Sequence, residues 1–148
     1  MFHERPEALE AAGLREKAIS RENVEIVREW LGSVMDSEDF AWHLLAPDAE
    51  LINATGAPFT NASGHEGFRA WRAEVSDAFE EWSSRPEKVV DAGNAKVLAL
   101  GKISGRGTGL QVDMELHSLY TLVDGKITRV EGFFSRHEAL EAAGLRGR

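Results

Sequence analysis

The sequence predicts an α+β fold in which three N-terminal helices pack in the concave face of a strongly curved, mostly antiparallel sheet, giving a cone-like α+β barrel. Between residues 20 and 82, apolar residues recur every three or four positions, which is helical spacing, whereas after Pro86 they recur at every second position, as in strands. An Asp124-Gly125 pair joins two of the alternating stretches and predicts a β-hairpin. Helices followed by paired strands favour two packed layers.

The first two predicted helices form a hairpin. Ser20 can cap a helix that opens at Arg21, because its side chain can accept hydrogen bonds from free backbone N–H groups of the first turn. Asp39 is predicted to cap a short second helix that Pro47 ends. The apolar stripe of the first helix comprises Val24, Ile26, Val27, Trp30, Leu31 and Val34.

A brief strand around residues 49–53 and a loop of turn-forming residues, TGAPFTNASG, precede the third helix. Ser63 and Glu66 have the spacing of a capping box, in which each side chain satisfies a backbone N–H group of the other residue. The third helix is therefore expected to begin here. Its large apolar residues share one face: Phe68, Trp71, Val75, Phe79 and Trp82.

Four strands are predicted after this helix. Residues 89–107 form two strands that turn at 92–95, and residues 110–134 form two more. The glycine-rich segment 104–109 lacks the lysine and the following helix of a phosphate-binding loop, and is predicted to be a flexible hairpin tip. The strand from Gln111 places Val112, Met114, Leu116, Ser118, Tyr120 and Leu122 on one face, and Gln111, Asp113, Glu115, His117 and Thr121 mostly on the other.

Composition excludes several classes of function. With 148 residues the chain fits one domain. It has 25 acidic against 17 basic residues, a net charge of −8, and no basic cluster that could follow a phosphate backbone, so nucleic acid is not expected as a partner. No cysteine is present, which rules out disulfides and thiolate metal sites. Neither a signal peptide nor a membrane-spanning stretch is recognisable, and a cytoplasmic location is expected.

The two ends of the chain repeat one another. RPEALEAAGLR at residues 5–15 and RHEALEAAGLR at residues 136–146 agree at ten of eleven positions. We interpret residues 1–18 as an N-terminal extension that resembles the C-terminal tail of a preceding copy of the domain, and residues 19–148 as the working domain. The extension could dock in the groove of the tail it imitates, in its own or a neighbouring subunit.

Over residues 19–146, the phrases SRENVEIVREW, SGHEGFRAW, YTLVDGKITRVEGFF and RHEALEAAGL resemble the SnoaL-like (polyketide-cyclase-like) group of the nuclear transport factor 2-like superfamily. The resemblance implies a cone of bent sheet around helices, an apolar pocket at its open end and a homodimer. Members of the superfamily include ketosteroid isomerases, epoxide hydrolases, polyketide cyclases, dehydratases and proteins that only bind. A fold used so widely does not by itself specify a reaction.

The catalytic residues of two such groups are replaced here. The resemblance places Asn53 where steroid isomerases carry a carboxylate base, and Trp30 and Ser118 where they carry oxyanion-hole donors. An amide cannot take up a proton as a carboxylate does. The acid, arginine, acid set of limonene-epoxide-hydrolase-like members falls near Ile103, Gly101 and Gly132.

Other polar groups have ordinary structural interpretations beside the functional ones. His65 and Glu66 could be an acid/base pair, but a carboxylate at a helix start is favoured for capping. Asp113, Glu115 and His117 could suggest a metal site, but they lie on the face opposite the apolar one and fit a solvated or dimer-facing surface better.

Two further pairs are predicted to be structural. Trp42 could line the mouth of a pocket, but a packed tryptophan next to an exposed His43 is the commoner arrangement. Arg129 and Glu131 are predicted to pair across strands.

The favoured function is binding of a small apolar or polycyclic molecule, with isomerase-, cyclase- or hydrolase-like chemistry open, and neither metal nor cofactor is predicted. The alternative is a noncatalytic dimeric association module that uses the outer sheet face. An open concave cavity favours the first, whereas a filled cone with an apolar outer face favours the second. The predicted pocket residues are Trp30, Asn53, Met114, Leu116, Ser118, Tyr120, Val130 and Phe134.

Overall fold

The computed structural model describes residues 6–34, 40–107 and 110–145. Within these ranges the chain forms three α-helices, one 3-10 turn and a seven-stranded sheet. The elements are α1 (Pro6–Val34), the 3-10 turn (Trp42–Leu44), β1 (Leu45–Ile52), β2 (Ala62–Ser63), α2 (Gly64–Ala78), β3 (Glu81–Gly93), β4 (Lys96–Gly107), β5 (Leu110–Glu115), β6 (His117–Val123), β7 (Lys126–Phe133) and α3 (Arg136–Ala142).

The strands follow the order β2-β1-β7-β6-β4-β3, and β5 continues beside β4. Every pairing is antiparallel except that of β1 with β7. Residues Asp124 and Gly125 join β6 to β7 with positive φ angles of 50° and 79°, as a tight hairpin turn requires. The predicted α+β class with a curved, mostly antiparallel sheet is confirmed.

The first helix is longer than predicted. Ser20 does not begin it, because the helix runs unbroken from Pro6 to Val34. Residues 7–18 consist mainly of alanine, glutamate, leucine and lysine, which favour helix. The helix therefore starts well before Ser20 and continues through it. The second predicted helix is only a 3-10 turn, and Pro47 lies inside β1. Its predicted cap, Asp39, lies outside the described residues.

The third predicted helix, α2, differs from the prediction at both ends. Ser63 occupies the N-cap position, but its side chain makes no capping hydrogen bond, and Glu66 instead pairs with Arg69 at 2.6 Å. The helix ends at Ala78, so Trp82 lies in β3 and not on the helix. Phe79 is extended because its ring lies against Gly105, where an added Cβ atom would come within 2.7 Å of the ring.

The long predicted strand from Gln111 is interrupted at Leu116, between β5 and β6. Its register against β4 nevertheless continues unchanged across the interruption, since Lys102 pairs with Glu115 and Ala99 with Ser118. The alternation of the two faces is therefore kept. The predicted hairpin tip at 104–109 is shorter than expected, because β4 extends to Gly107 and residues 108–109 lie outside the described ranges.

One side chain replaces a backbone acceptor at this interruption, while the other backbone hydrogen bond is kept. The Gly101 N–H donates to Nδ1 of His117 at 3.2 Å, and the Gly101 carbonyl accepts from the Leu116 N–H at 3.1 Å. Nε2 of His117, which then carries the ring proton, lies 3.2 Å from a carboxylate oxygen of Glu115. His117 was predicted on a solvated or dimer-facing surface, and that prediction is wrong, because the side chain is only 2% exposed.

Two separate clusters of buried residues lie on opposite faces of the sheet. The larger one fills the concave side, where α1 and α2 pack through residues such as Val27, Trp30 and Phe68. The smaller one lies on the outer side beneath α3, and consists of Leu98, Leu100, Leu119, Ala139 and Ala143. The sheet is thus covered by helices on both faces where β4 and β6 run side by side.

Replacing Gly101 with alanine is expected to lower the free energy of unfolding by about 1–3 kcal/mol, because the new Cβ atom would lie 2.5 Å from the Arg85 carbonyl oxygen of β3. Gly32, inside α1, is the matched control, because an alanine Cβ there meets nothing within 4 Å. Gly32→Ala should raise stability by about 0.5–1 kcal/mol. Urea denaturation of both variants measures the difference, and equal effects would contradict the close approach of β3 and β4.

Candidate functional site

A cavity of about 250 Å³ lies between the concave face of the sheet and the two helices α1 and α2. This is slightly below the ~300–1,000 Å³ typical of sites for drug-sized ligands, so it suits a small molecule. All eight residues predicted for the pocket line it: Trp30, Asn53, Met114, Leu116, Ser118, Tyr120, Val130 and Phe134. Whether they bind a ligand stays a prediction.

The alternating strand supplies one wall of the cavity. Every second residue from Val112 to Tyr120 lines it, across the interruption at Leu116. Met114 is 38% exposed, so this end of the wall reaches solvent, whereas Tyr120 is 3% exposed and marks the deep end. The predicted alternation thus provides both the mouth and the floor.

Aromatic rings form the opposite wall. Trp30 of α1 contacts Phe40 at a centroid distance of 5.5 Å and Phe68 of α2 at 6.0 Å, the latter edge to face. Such pairs add about 0.5–1.5 kcal/mol to the free energy gained by burial alone. These contacts tie α1 to α2 and hold the position of the Trp30 ring.

No charged group faces the cavity among the residues that the structure describes. Its polar lining consists of Asn53, Ser84, Ser118 and Tyr120, and no aspartate, glutamate, histidine, lysine or arginine of the described ranges joins them. Without such a group, the described lining has no general base of ordinary strength. It can donate and accept hydrogen bonds.

Asn53, at the end of β1, is fully engaged in holding the cavity rim together. Its amide nitrogen lies 2.9 Å from the Thr60 carbonyl and 3.3 Å from the Phe59 carbonyl, so it donates to the loop that covers the cavity. Its amide oxygen accepts from the indole N–H of Trp71 at 3.0 Å. Asn53 is thus a positioning residue for the loop and for Trp71.

Arg72 is buried behind the cavity wall, although no sequence pattern predicted its burial. Its Nε donates to the Val34 carbonyl at the end of α1 at 3.1 Å, and its guanidinium lies 4.5 Å from the ring centroid of Trp82. It also hydrogen-bonds to Ser76. Burial lowers the pKa of the Arg72 guanidinium from its ordinary value. The group nevertheless stays charged at neutral pH, because arginine is not deprotonated in proteins. Arg72 therefore fixes two lining residues.

Tyr120 supplies the deepest polar group. Burial raises the pKa of its phenol far above the ordinary value of 10.0, and a hydrogen bond with the Ser118 side chain opposes the rise only in part. The phenol is therefore neutral and protonated throughout the physiological range. In this form it can donate a hydrogen bond to a carbonyl or hydroxyl oxygen of a bound molecule.

Two of the other polar groups singled out in the sequence have structural partners. His65 contacts the Leu45 carbonyl through Nε2 at 2.9 Å, so His65 and Glu66 do not act as a pair. Asp113 accepts from the Ser104 hydroxyl at 3.2 Å. In the described ranges, no three His, Asp or Glu side chains are arranged to hold a metal ion.

The remaining singled-out residues also lie outside the cavity lining. Arg129 pairs with Glu131 along β7 and with Glu50 across to β1, at 3.1 Å and 3.5 Å. Trp42 packs edge to face against Phe40, and the His43 side chain is 71% exposed.

The family is shown by comparison with known proteins. A model of the SnoaL-like domain matches residues 27–130, which is more than half of the chain. The chain belongs to the SnoaL-like domain family. Among curated proteins, no sequence matches it significantly.

Solved structures share the fold of this SnoaL-like domain. TerC, co-crystallised with polyporic acid, aligns with a TM-score of 0.67 at 21% identity, over 81% of this chain and 98% of TerC. A putative SnoaL-like polyketide cyclase from Jannaschia sp. CCS1 aligns with a TM-score of 0.65 at 18% identity, over 100% of both chains. A limonene-epoxide-hydrolase-like epoxide hydrolase from M. tuberculosis aligns with a TM-score of 0.62 at 18% identity, over 86% of this chain and 92% of the hydrolase. At these identities the likeness concerns the fold.

The positions that the resemblance assigned to catalytic residues can now be located in the SnoaL-like domain. Asn53, Trp30 and Ser118 all line the cavity, as do Ile103 and Gly132, whereas Gly101 does not. Gly132 faces the chain after β1, since a Cβ atom there would lie 3.1 Å from the backbone nitrogen of Ala54. An acidic side chain at 132 would not fit this packing.

The sequence did not predict several lining residues of the domain. Trp71, Phe79 and Trp82 were all predicted on the buried face of one helix. The helix ends at Ala78, so the strand position of Trp82 was not predicted. The loop residues Ala57 and Phe59 lack a periodic pattern that would place them. The three asparagine contacts could not be read from the sequence, because they join residues up to 18 positions apart.

Replacing Asn53 with aspartate is expected to lower the free energy of unfolding by about 2–3 kcal/mol at neutral pH, because a carboxylate would face the Phe59 and Thr60 carbonyls without donating to them. The loss should shrink as the pH falls below about 4, where the carboxyl group is protonated and can donate once. Asn94→Asp, in the turn between β3 and β4, makes the same chemical change at an exposed site and should have little effect. Chemical denaturation at several pH values compares the two; a stable Asn53→Asp protein would contradict this role of the amide.

Tyr120 makes an alkaline pH dependence testable, because it is the only tyrosine of the chain. Above pH 10 the unfolded chain releases the phenol proton while the folded chain keeps it, so the unfolded state binds fewer protons and stability falls by up to about 1.4 kcal/mol per pH unit. Tyr120→Phe should remove this contribution. Phenolate absorbance should appear only as the protein unfolds; its appearance near pH 10 with intact circular dichroism would contradict the burial argument.

Proposed function

We propose that this protein binds a small, neutral, mostly apolar molecule that carries a carbonyl or hydroxyl group. The observation that carries the proposal is a cavity whose described lining is almost entirely apolar and which has a protonated phenol, Tyr120, at its deep end. The apolar wall supplies affinity by removing the ligand's carbon surface from water. Tyr120 and Ser118 orient the single polar group.

The absence of charge in the described lining argues for a neutral ligand. Burying an ion beside apolar side chains costs several kcal/mol or more unless an opposite charge lies nearby. Arg72 is a buried cation in contact with the wall, but its guanidinium is stacked on Trp82 and donates to the Val34 carbonyl. An anionic ligand would therefore lack a direct partner among the described residues.

Size argues for a ligand smaller than a fused polycycle. A cavity of about 250 Å³ has room for one ring and short substituents more readily than for several fused rings. The similarly folded TerC was co-crystallised with polyporic acid, which supports a small organic molecule as the ligand of this chain.

Chemistry at this site is expected to rest on polarisation rather than on proton abstraction. A phenol and a serine hydroxyl can stabilise negative charge that develops on a carbonyl oxygen. The amide of Asn53, in the place where an isomerase base is expected, is bonded to Trp71 and to the loop and cannot remove a proton. Any isomerase-, cyclase- or hydrolase-like reaction would then use a water molecule or a group of the substrate as its base.

The alternative function, a dimeric association module, receives less support from the outer face of the sheet. Part of that face is already covered by α3. Another part carries the ion pairs that Arg129 makes with Glu50 and Glu131, and not an apolar patch.

Acetophenone and ethylbenzene form a matched pair of probes, because only the first carries a carbonyl group. Both should alter the fluorescence of Trp30, Trp71 and Trp82, which line the cavity. Tyr120→Phe should weaken acetophenone binding about 3–10-fold and leave ethylbenzene binding unchanged, as expected for the loss of one hydrogen bond.

The control fills the mouth of the cavity. Val112 lines it, whereas the neighbouring Gln111 of β5 is exposed on the other face, so Val112→Trp should abolish binding and Gln111→Trp should not. Equal binding by all four proteins, or none by the wild type, would contradict the proposal.

A further inference from the structure

The repeated ends of the chain adopt different structures. Residues 136–145 form α3 and its C-terminal turn, in which the Gly144 N–H donates to the Glu141 carbonyl at 3.1 Å and the Leu145 N–H to the Leu140 carbonyl at 2.8 Å. Gly144 has a φ of 74°, so the helix ends in a left-handed glycine. The matching Gly13 lies inside α1, and the helix continues through it for another 21 residues to Val34.

We call the surface that α3 covers on the outer side of the sheet, formed by Leu98, Leu100 and Leu119, the outer groove. The residues that pack in it recur in the first copy of the repeat. Ala139 is 0% exposed and Ala143 7%, and both pack in the outer cluster together with Leu140, Leu145 and Phe133. The two copies lie 131 residues apart. Each of these five residues has an identical residue at the matching position of the first copy, namely Ala8, Ala12, Leu9, Leu14 and Phe2. The single mismatch within the repeat, Pro6 for His137, falls where the His137 side chain is 69% exposed.

The first copy lacks such a groove in its own surroundings, as far as its side chains are described. Leu14 is 61% exposed and Ile19 is 50% exposed, whereas Leu145 is packed against the outer cluster. An exposed leucine whose counterpart is packed marks an apolar surface without a partner.

We propose that residues 2–14 of one copy, termed the arm, dock in the outer groove of a second copy and take the place of its α3. For this the helix must end at Gly13, as α3 ends at Gly144, and glycine permits the left-handed conformation that the end requires. The occupant is a second copy because residues 6–14 belong to α1, whose later residues Val27 and Trp30 pack on the concave side of the sheet, whereas the groove lies on the outer side.

In the native chain α3 occupies the outer groove more readily than the arm of a second copy does. Only Phe134 and Ser135 separate it from β7, so its effective concentration at the groove is far above that of a second molecule. Ser135 also caps α3 by accepting from the Glu138 N–H at 3.2 Å, whereas the arm has Glu4 at the matching position. Exchange between copies should therefore become visible when α3 is weakened.

Ala139→Asp weakens α3, because it places a carboxylate at a fully buried position. If the arm of a second copy then docks, the full chain with Ala139→Asp should sediment as a larger species than the chain with both Ala8→Asp and Ala139→Asp. Its melting temperature should also be about 4 °C or more higher than that of the double variant. Ala18→Asp, in the same helix but outside the repeat, is the matched control and should leave both properties of the Ala139→Asp protein unchanged. If Ala139→Asp does not fold, Gly144→Ala weakens α3 at its end instead.

Gly13 provides an independent variant. Gly13→Ala should suppress the larger species, because alanine disfavours a helix end there, whereas Gly32→Ala in the same helix should not.

Equal mass and equal melting temperature with and without an intact Ala8 would overturn the proposal. A difference in melting temperature without a difference in mass would assign the groove to the arm of the same chain and would also overturn docking between copies.

Discussion

The contact between Gly101 and His117 lies where strands β3, β4, β5 and β6 meet. At that point β4 passes from β6 to β5, and an imidazole accepts the N–H that a neighbouring backbone carbonyl would otherwise take. Gly101 has no side chain because the Arg85 carbonyl of β3 occupies that space. By strand alternation His117 faces the outer side, as Leu119 does, while its neighbours Leu116 and Ser118 line the cavity. One residue pair thus ties the edge strand, the outer core and the cavity wall together.

The cavity follows from this register. Because the alternation of side chains survives the interruption, five inward residues from Val112 to Tyr120 form one continuous wall with an exposed end and a buried end. Helices α1 and α2 supply the opposing wall together with Trp82 of β3. Asn53 and Arg72 hold that wall in place through Trp71, Val34 and Trp82. Asn53 and Arg72 are thereby used for support, and Ser118 and Tyr120 are the groups proposed to contact a ligand.

Periodicity sufficed to predict the α+β class and the hairpin at Asp124-Gly125, and together with the family resemblance it indicated eight of the residues that line the cavity. It failed where one spacing fits two structures: Trp82 lies three residues after Phe79, as in a helix, yet it belongs to a strand. It also failed at the first helix, because the shared sequence EALEAAGL ends a helix at residues 138–145 and continues one at residues 7–14. The burial of His117 and the contacts of Asn53 depend on partners distant in sequence, so no local pattern could reveal them.

Native mass spectrometry of the purified protein, first intact and then denatured, tests the central claim most directly. The account predicts that the intact wild-type domain carries a neutral small molecule that leaves on denaturation, and that Val112→Trp carries none. A wild-type domain that retains the same molecule after Val112→Trp fills the mouth, or that takes up only anions when offered a mixture of small aromatic ketones and carboxylates, would contradict the cavity as the binding site.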